Sequence, residues 1–330
     1  MKKRNKFRWG IISTGIIANK MAEAINQVPG SEILGVASRR QENARGFAEK
    51  YHIKNAFYPY SELITNPDVD IIYIGVPNPF HYELIIESLN NGKHVLCEKP
   101  FTLNAKESRE CIDLARKKNL FLMEAMWSRF FPAMKELKQI IRDEKLGQLH
   151  QVTGDFMIER AYDPEHRLYN IDLGGGALLD IGVYLLSIAQ FFLGKPESVA
   201  GVARIGSTGV DMLDNMHLRY PGDVYASFVC GFTGYKPYEF VISGSEGYCK
   251  ITSPFYCPSS FVLGNMGTKK SYNFPYRGNG YIHMIEAVQE SILKGETENP
   301  LMPLEETFFQ METMDKLRDQ WNLIYPGEKR

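Results

Sequence analysis

The sequence predicts two domains of different class: an α/β half on a doubly wound parallel sheet, then an α+β half with a large, mostly antiparallel open sheet. Three observations predict this. Short apolar runs alternate with amphipathic helical stretches up to about residue 125. After about residue 148 the pattern changes to longer period-two strands joined by Gly, Pro and Asp turns. One long apolar helix, GGALLDIGVYLLSIAQFFLG, interrupts the second pattern.

In the first half FRWGIIS, EILGVAS, DIIYIGVP, HVLCEK and LFLMEAM read as strands, separated by helices near 16–28, 41–51, 81–91 and 105–118. Strands that are continuously apolar and alternate with helices are parallel and covered on both faces. Asn104, with Glu107 three residues later, has the spacing of a capping box for the 105–118 helix. In the second half QLHQVTGDFMIE, PESVAGVARI, MLDNMHLRY, VYASFVCGF, EFVISGS and GYCKITS are the strands, and helices near 281–294 and 304–321 close the chain. The expected domains are 1–125 and 126–330.

Composition bounds the function. With 330 residues, 44% hydrophobic and 23% charged, the chain is an ordinary globular protein with enough apolar material for substantial cores. A formal net charge of -1 and the lack of a basic block after Lys2-Lys3-Arg4 argue against a nucleic-acid partner. Five widely spaced cysteines without a C-x-x-C argue against disulfides and a zinc ribbon, and fit a cytoplasmic setting. Seven scattered histidines form no ligand cluster, so no metal is expected. MKKRNK followed by FRWGIISTGIIA imitates a signal peptide, but Ser13, Thr14 and Gly15 interrupt it with a turn, and the apolar part is needed as the first strand. No apolar run is expected to reach the roughly 18 residues of a membrane span.

The candidate site follows from the parallel sheet, because ligands bind beyond the carboxyl ends of such strands. WGIISTGIIA joins the first strand to the first helix, and Ser13, Thr14, Gly15, Ile16 and Ile17 form the candidate phosphate turn. Ser13 and Ala18 stand where G-x-G-x-x-G has glycines, and Gly15 leaves room for a pyrophosphate at the helix N-terminus. At the end of the second strand, Ser38-Arg39-Arg40 replaces the acidic residue expected of an NAD site. A hydroxyl and two guanidiniums suit a 2′-phosphate, so NADP(H) is preferred and NAD(H) remains possible. Pro77, Asn78 and His81 in VPNPFHYE are placed to line the cofactor groove, with His81 as a contact or cap. Glu98-Lys99-Pro100 ends the HVLC strand on the same edge, where Lys99 can reach the nicotinamide end and a substrate hydroxyl. In the long helix Asp180 and Tyr184 are four apart and share a face. A nearby ammonium favours the phenolate of such a Tyr and makes a proton relay feasible. The Gly174–Gly176 run allows close approach of another backbone or a ligand.

Taken in order, GIISTGIIA, CEKP and GGALLDIGVY resemble the motifs of the Gfo/Idh/MocA oxidoreductases, whose N-terminal domain is a Rossmann fold. The resemblance extends to LMPLEET at the start of the last helix. Tyr184 stands where most members have histidine, and LFLMEAMWSRFFPA and SPFYCPSSF are similar to the dihydrodiol and D-xylose dehydrogenase branch. The resemblance implies Lys99 and Tyr184 as acid/base residues supported by Asp180. It further implies Trp127, Arg129, Phe156 and Tyr256 on the substrate side, with Trp127, Arg129 and Glu98 also at the cofactor. The implied substrates are a sugar, a cyclic polyol or a trans-dihydrodiol. A homodimer through the open sheet face is implied as well, in agreement with the need of a wide antiparallel sheet for cover. Two alternatives stay open at this point: an NAD-dependent inositol or amino-sugar dehydrogenase, and a non-catalytic NADP-binding regulatory protein.

Overall fold

The computed structural model describes residues 6–328, and the basic Lys2-Lys3-Arg4 opening lies outside them. The chain forms two compact units. The first takes the chain up to Thr102, then Glu107–Trp127 and Arg277–Leu304; the second takes Leu103–Lys106, Ser128–Tyr276 and the chain from Glu305 onward.

The first unit is a six-stranded parallel sheet of β1 (Phe7–Ile12), β2 (Ser31–Ala37), β3 (Asn55–Phe57), β4 (Ile71–Ile74), β5 (His94–Cys97) and β6 (Leu122–Glu124), in the order β3-β2-β1-β4-β5-β6. Its crossovers are α1 (Ile16–Ile25), α2 (Gln41–Tyr51), α3 (Tyr60–Ile64), α4 (His81–Asn90) and α5 (Ala105–Lys118). The four residues of β4 are all buried, as a central strand covered on both faces must be. The strand order reverses between β1 and β4, which is where a doubly wound sheet opens a crevice for ligand. The short β3 and α3 carry too few residues to show a period, and the sequence pattern passes over both.

The second unit contains α6 (Pro132–Arg142) and an eight-stranded sheet. The sheet strands are β7 (Leu149–Met157), β8 (Ser198–Ile205), β9 (Asp211–Tyr220), β10 (Val224–Gly231), β11 (Phe240–Gly244), β12 (Gly247–Ile251), β13 (Ser260–Gly264) and β14 (Lys269–Asn273), ordered β14-β13-β12-β11-β7-β10-β9-β8. Every pairing is antiparallel except β7 with β10. The long helix divides into a π-helical turn, Leu178–Gly182, and α7 (Val183–Leu193), which packs on β7. The Ile171–Leu193 segment, 23 residues long, is apolar enough to cross a membrane, which corrects the expectation that no run is. Of its most apolar window 78% is buried inside the protein, so it serves here as the core helix of the unit.

The two closing helices are α8 (Ile282–Leu293) and α9 (Leu304–Gln320). Arg277–Leu304, with α8, belongs to the first unit, so the division is not the single cut at 125/126 read from the sequence. Contacts account for this return: α8 packs on α1, and the Asn279 amide donates to the Lys20 carbonyl at 2.8 Å.

Candidate active site

In the first unit the carboxyl ends of β1, β2, β4 and β5 lie along one edge, held in step by backbone bonds. Ser13 N donates to Ala37 O at 3.1 Å, Gly75 N to Ile12 O at 3.0 Å and Glu98 N to Ile74 O at 2.9 Å. Ser13, at the end of β1, has φ 148, a conformation glycine adopts freely and other residues reach at a cost of about 1–3 kcal/mol. Its Oγ accepts from Gly15 N at 3.1 Å, which fixes the turn. Gly15, the N-cap of α1, has an ordinary φ of -73, and an added Cβ would meet only Ser13 Oγ, at 3.4 Å. Nothing inside the chain demands glycine there. The open space lies at the N-terminus of α1, where free backbone N–H groups attract an anion, and Ile16 beside it is 87% exposed. Thr14 and Ile17 are half-buried in the same turn. These residues fit a dinucleotide pyrophosphate.

At the end of β2, Ser38 is buried, whereas Arg39 and Arg40 are exposed. Among the described residues neither guanidinium has an ion-pair partner. Arg39 lies close enough to Tyr60 to draw its phenol down, against burial, which is the larger effect and raises it.

Two expected cofactor contacts turn inward. His81 is 1% exposed, with Nδ1 3.0 Å from Pro100 O and Nε2 2.9 Å from Val76 O. The Asn78 side-chain amide faces two carbonyls, and with its nitrogen turned toward them it donates to Pro100 O and Thr102 O at 3.3 and 3.2 Å. Both side chains brace the turns after β4 and β5, where Pro77 is half-buried. Glu98 is also turned inward: it is 7% exposed and accepts the Tyr73 O–H at 2.8 Å. Burial raises its carboxyl to about 7, against the opposing pull of the Tyr73 bond and of Lys99. Lys99 itself is half-buried at the strand end. Trp127 stacks flat on Tyr281, centroids 4.2 Å apart, and Tyr281 in turn bears on Tyr73.

In the second unit Phe156, Tyr184 and Tyr256 come together. Phe156 stacks on Tyr256 at 4.8 Å, with Tyr184 at 5.8 Å from Phe156 and 5.6 Å from Tyr256. Tyr238 and Phe255 close the group at 5.3 and 5.7 Å from Phe156. Burial pushes the Tyr256 phenol up to about 12, so it remains a proton donor at neutral pH. Asp180 pairs with Arg167, Oδ1 to Nη1 2.8 Å, a partner that no spacing in the sequence indicates. Arg129 is a correction to the expected cofactor or substrate contact. It is 0% exposed, donates to Ser187 Oγ at 2.9 Å and Ser187 O at 2.8 Å, and pairs with Glu306. It ties the chain before α6 to α7 and α9 and presents no donor outward.

The GGALLD stretch is built around Asp211 on β9. Asp211 Oδ2 accepts Leu178 N at 2.6 Å, capping the π-helical turn. Gly176, at φ 123, lets this happen, since a Cβ there would lie 2.1 Å from Asp211 Oδ1. Gly175 passes against the carbonyls of Arg167, Leu168 and Asn170, each within 2.8 Å of where its Cβ would be. Burial raises the carboxyls of both Asp211 and Asp214, and the Asp211 charge raises that of Asp214 further.

The sequence of residues 7–126 matches the family model "Oxidoreductase family, NAD-binding Rossmann fold", and residues 134–250 match "GFO/IDH/MocA C-terminal domain". The chain is 36% identical to trans-1,2-dihydrobenzene-1,2-diol dehydrogenase of Mus musculus and 35% identical to that of Homo sapiens, covering 98% of this chain and 99% of each relative. Among solved structures it is similar to KijD10, a 3-ketoreductase from Actinomadura kijaniata in complex with NADP and TDP-benzene. That likeness has TM-score 0.87 and 27% identity over 96% of this chain and 98% of the other. The chain therefore belongs to the Gfo/Idh/MocA family of NAD(P)-dependent oxidoreductases.

Proposed function

We propose that the protein is an NADP-dependent dehydrogenase for a vicinal-diol substrate, a cyclic sugar or polyol or a trans-dihydrodiol. The observation that carries this reading is the aromatic group of Phe156, Tyr184, Tyr238 and Tyr256 beside Asp180. Ring faces suit the apolar face of a six-membered ring, and phenols and a carboxylate suit its hydroxyls. When bound, NADP supplies the hydride acceptor. Tyr184 takes the hydroxyl proton, Lys99 favours the phenolate, and Asp180 orients the diol. Ser13, Thr14, Gly15, Ile16 and Ile17 hold the pyrophosphate, and Ser38, Arg39 and Arg40 take the 2′-phosphate. The exposed, unpaired Arg39 and Arg40 support NADP over NAD. The dihydrodiol dehydrogenase relatives support the diol, and the NADP-bound 3-ketoreductase supports NADP and a ring carbon that passes between alcohol and ketone. The same reading includes a homodimer through the open face of the second sheet, in the reducing cytoplasm, where five free thiols persist.

The test is an assay of purified protein with NADP+ or NAD+ and D-xylose, D-glucose, myo-inositol or a trans-dihydrodiol, following absorbance of the reduced nicotinamide. We expect NADP+ to be reduced with one of these substrates, and Lys99→Ala and Tyr184→Phe each to lower kcat at least 100-fold. NADPH affinity should stay nearly unchanged in both variants. Full activity in either variant removes that residue from the chemistry. Silence across the panel, in protein that binds NADPH, favours the regulatory reading.

A further inference from the structure

Asp180 and Tyr184 lie one turn apart where the π-helical turn passes into α7, so a carboxylate and a phenol occupy one helix face. Left alone, an ionised carboxylate beside a phenol opposes loss of the phenolic proton, and burial strengthens that opposition. Asp180 has a side chain only 15% exposed, and Tyr184 is 9% exposed, so water screens the pair weakly. A proton-transfer tyrosine in this position needs the Asp180 charge offset. Arg167 stands on that charge, with Nη1 2.8 Å from Asp180 Oδ1.

We propose that Arg167 is a positioning residue of the reaction: it holds Asp180 and cancels its charge, so that Tyr184 gives up its proton beside a neutral pair instead of a bare carboxylate. The inference rests on the reading of Tyr184 as the proton-transfer group. The backbone serves the same arrangement, because Arg167 O is one of the three carbonyls against which Gly175 passes. Arg167 thus lies close to the start of this helix on its main chain and is paired with Asp180 of the π-helical turn by its side chain.

In the proposed reaction Lys99 acts on the Tyr184 phenolate itself, whereas Arg167 acts on the Asp180 charge beside it; the ionisable groups near Tyr184 in the second unit add no charge that does the same. His166 lies in the same field, with Nε2 2.8 Å from Arg160 Nη2. Burial, then Arg160 and Arg167, lower its basicity, and Asp163 and Asp180 only partly restore it, so it is neutral at pH 7. From the turn after β12, the Tyr256 phenol is pushed up to about 12 and the Cys257 thiol to about 11, so both are neutral as well. Ahead of β11, Tyr238 is a phenol, and its N–H is taken by Asp155, whose carboxyl faces Lys236. Burial works against the Arg167 charge, but Asp180 and then Tyr184 outweigh it and raise the guanidinium's hold on its proton.

The test is an NMR titration of full-length protein labelled with [13Cζ]tyrosine, with NADPH bound, in which Tyr184 is assigned by its loss in Tyr184→Phe. We expect Arg167→Gln to lower the acid dissociation constant of Tyr184 about tenfold, as removal of one charge near a partly buried phenol should. Arg167→Lys should restore most of it. Asp180→Asn should shift it the other way, and the double variant Arg167→Gln/Asp180→Asn should return close to wild type. The alkaline-going limb of the kcat profile should move with the NMR value. An unchanged Tyr184 titration in folded Arg167→Gln or in Asp180→Asn overturns the charge balance. Because the titration needs no turnover, failure of the functional reading is seen separately: normal kcat in Tyr184→Phe removes the reaction that Arg167 would serve, and with it the positioning role.

Discussion

At Glu98 the chain ends a parallel strand on a carboxyl that is 7% exposed and hydrogen-bonded by Tyr73, and burial raises it to about 7 from an ordinary 4.5. A carboxyl with its folded pKa above its unfolded one contributes stability that is fully present below the unfolded value and is lost as pH rises through the folded value. The window is therefore about pH 4.5 to 7. Glu98→Gln keeps an acceptor for Tyr73 and removes the titration. We expect the fall in unfolding free energy between pH 5 and pH 8 to be smaller in Glu98→Gln than in wild type by about 2 kcal/mol, measured by urea denaturation. Equal falls in both proteins would show that Glu98 does not carry this pH dependence. The same stretch shows what single residues disclose. The break of HVLC by Glu98-Lys99-Pro100 is legible as a site at a strand end, because charge and proline do not fit a buried strand. Which charge turns outward is not legible, since that depends on Tyr73 on the neighbouring strand. Arg129 is misread for a related reason: a buried arginine and a substrate-binding one are the same letter until Ser187 and Glu306 are in place.

Among the elements, the helix that begins at GGALLD depends on contacts over long sequence distances. The glycines are legible as a place of close approach, but Asp211, 33 residues beyond the N–H it caps, shows no pattern that points to Leu178. Gly176→Ala should therefore meet two costs, a φ of 123 and a Cβ 2.1 Å from Asp211 Oδ1. Gly92→Ala, at φ 73 in the turn that closes α4 and with nothing within 4 Å of its Cβ, meets the conformational cost alone. We expect about 1 kcal/mol of destabilisation for Gly92→Ala and at least about 3 kcal/mol for Gly176→Ala, read from urea midpoints. Similar values for both would mean that the Asp211 contact carries little of the energy. The strands of the second unit were legible where they alternate, as in VYASFVCG with its buried Val224, Ala226 and Phe228. β13 and β14 escape notice because β14 is an outer strand, KKSYN, with almost no buried residue. The π-helical turn also leaves no mark in the sequence, since its apolar residues are compatible with an ordinary helix.

For the whole molecule, the unresolved balance is the second face of the eight-stranded sheet. On one face Val152, Met216, Leu218, Ala226 and Phe228 are each at most 2% exposed, in keeping with α7 on β7. The register puts Tyr225 opposite Gln151 and Arg219, and Val202 opposite Asn215, which pairs with Val229, so Tyr225 and Val202 share the other face. They are 52% and 69% exposed. Large apolar side chains exposed on a broad sheet face are the expected sign of an association surface, and a face of this kind matched to itself by a twofold axis makes a closed dimer. Burial of both on each side would remove apolar surface from water at about 25 cal/mol per Å², while the rim residues Arg219 and Gln151 can keep water or polar partners. Val202→Asp and Tyr225→Asp bring a carboxylate into that surface without touching the opposite, covered face. We expect the wild-type protein to sediment at twice the 37.7 kDa chain mass and the double variant to sediment as a monomer at micromolar concentration, with far-UV circular dichroism unchanged. A wild-type monomer, or a variant that remains dimeric, would assign this face to solvent and the dimer, if present, to another surface.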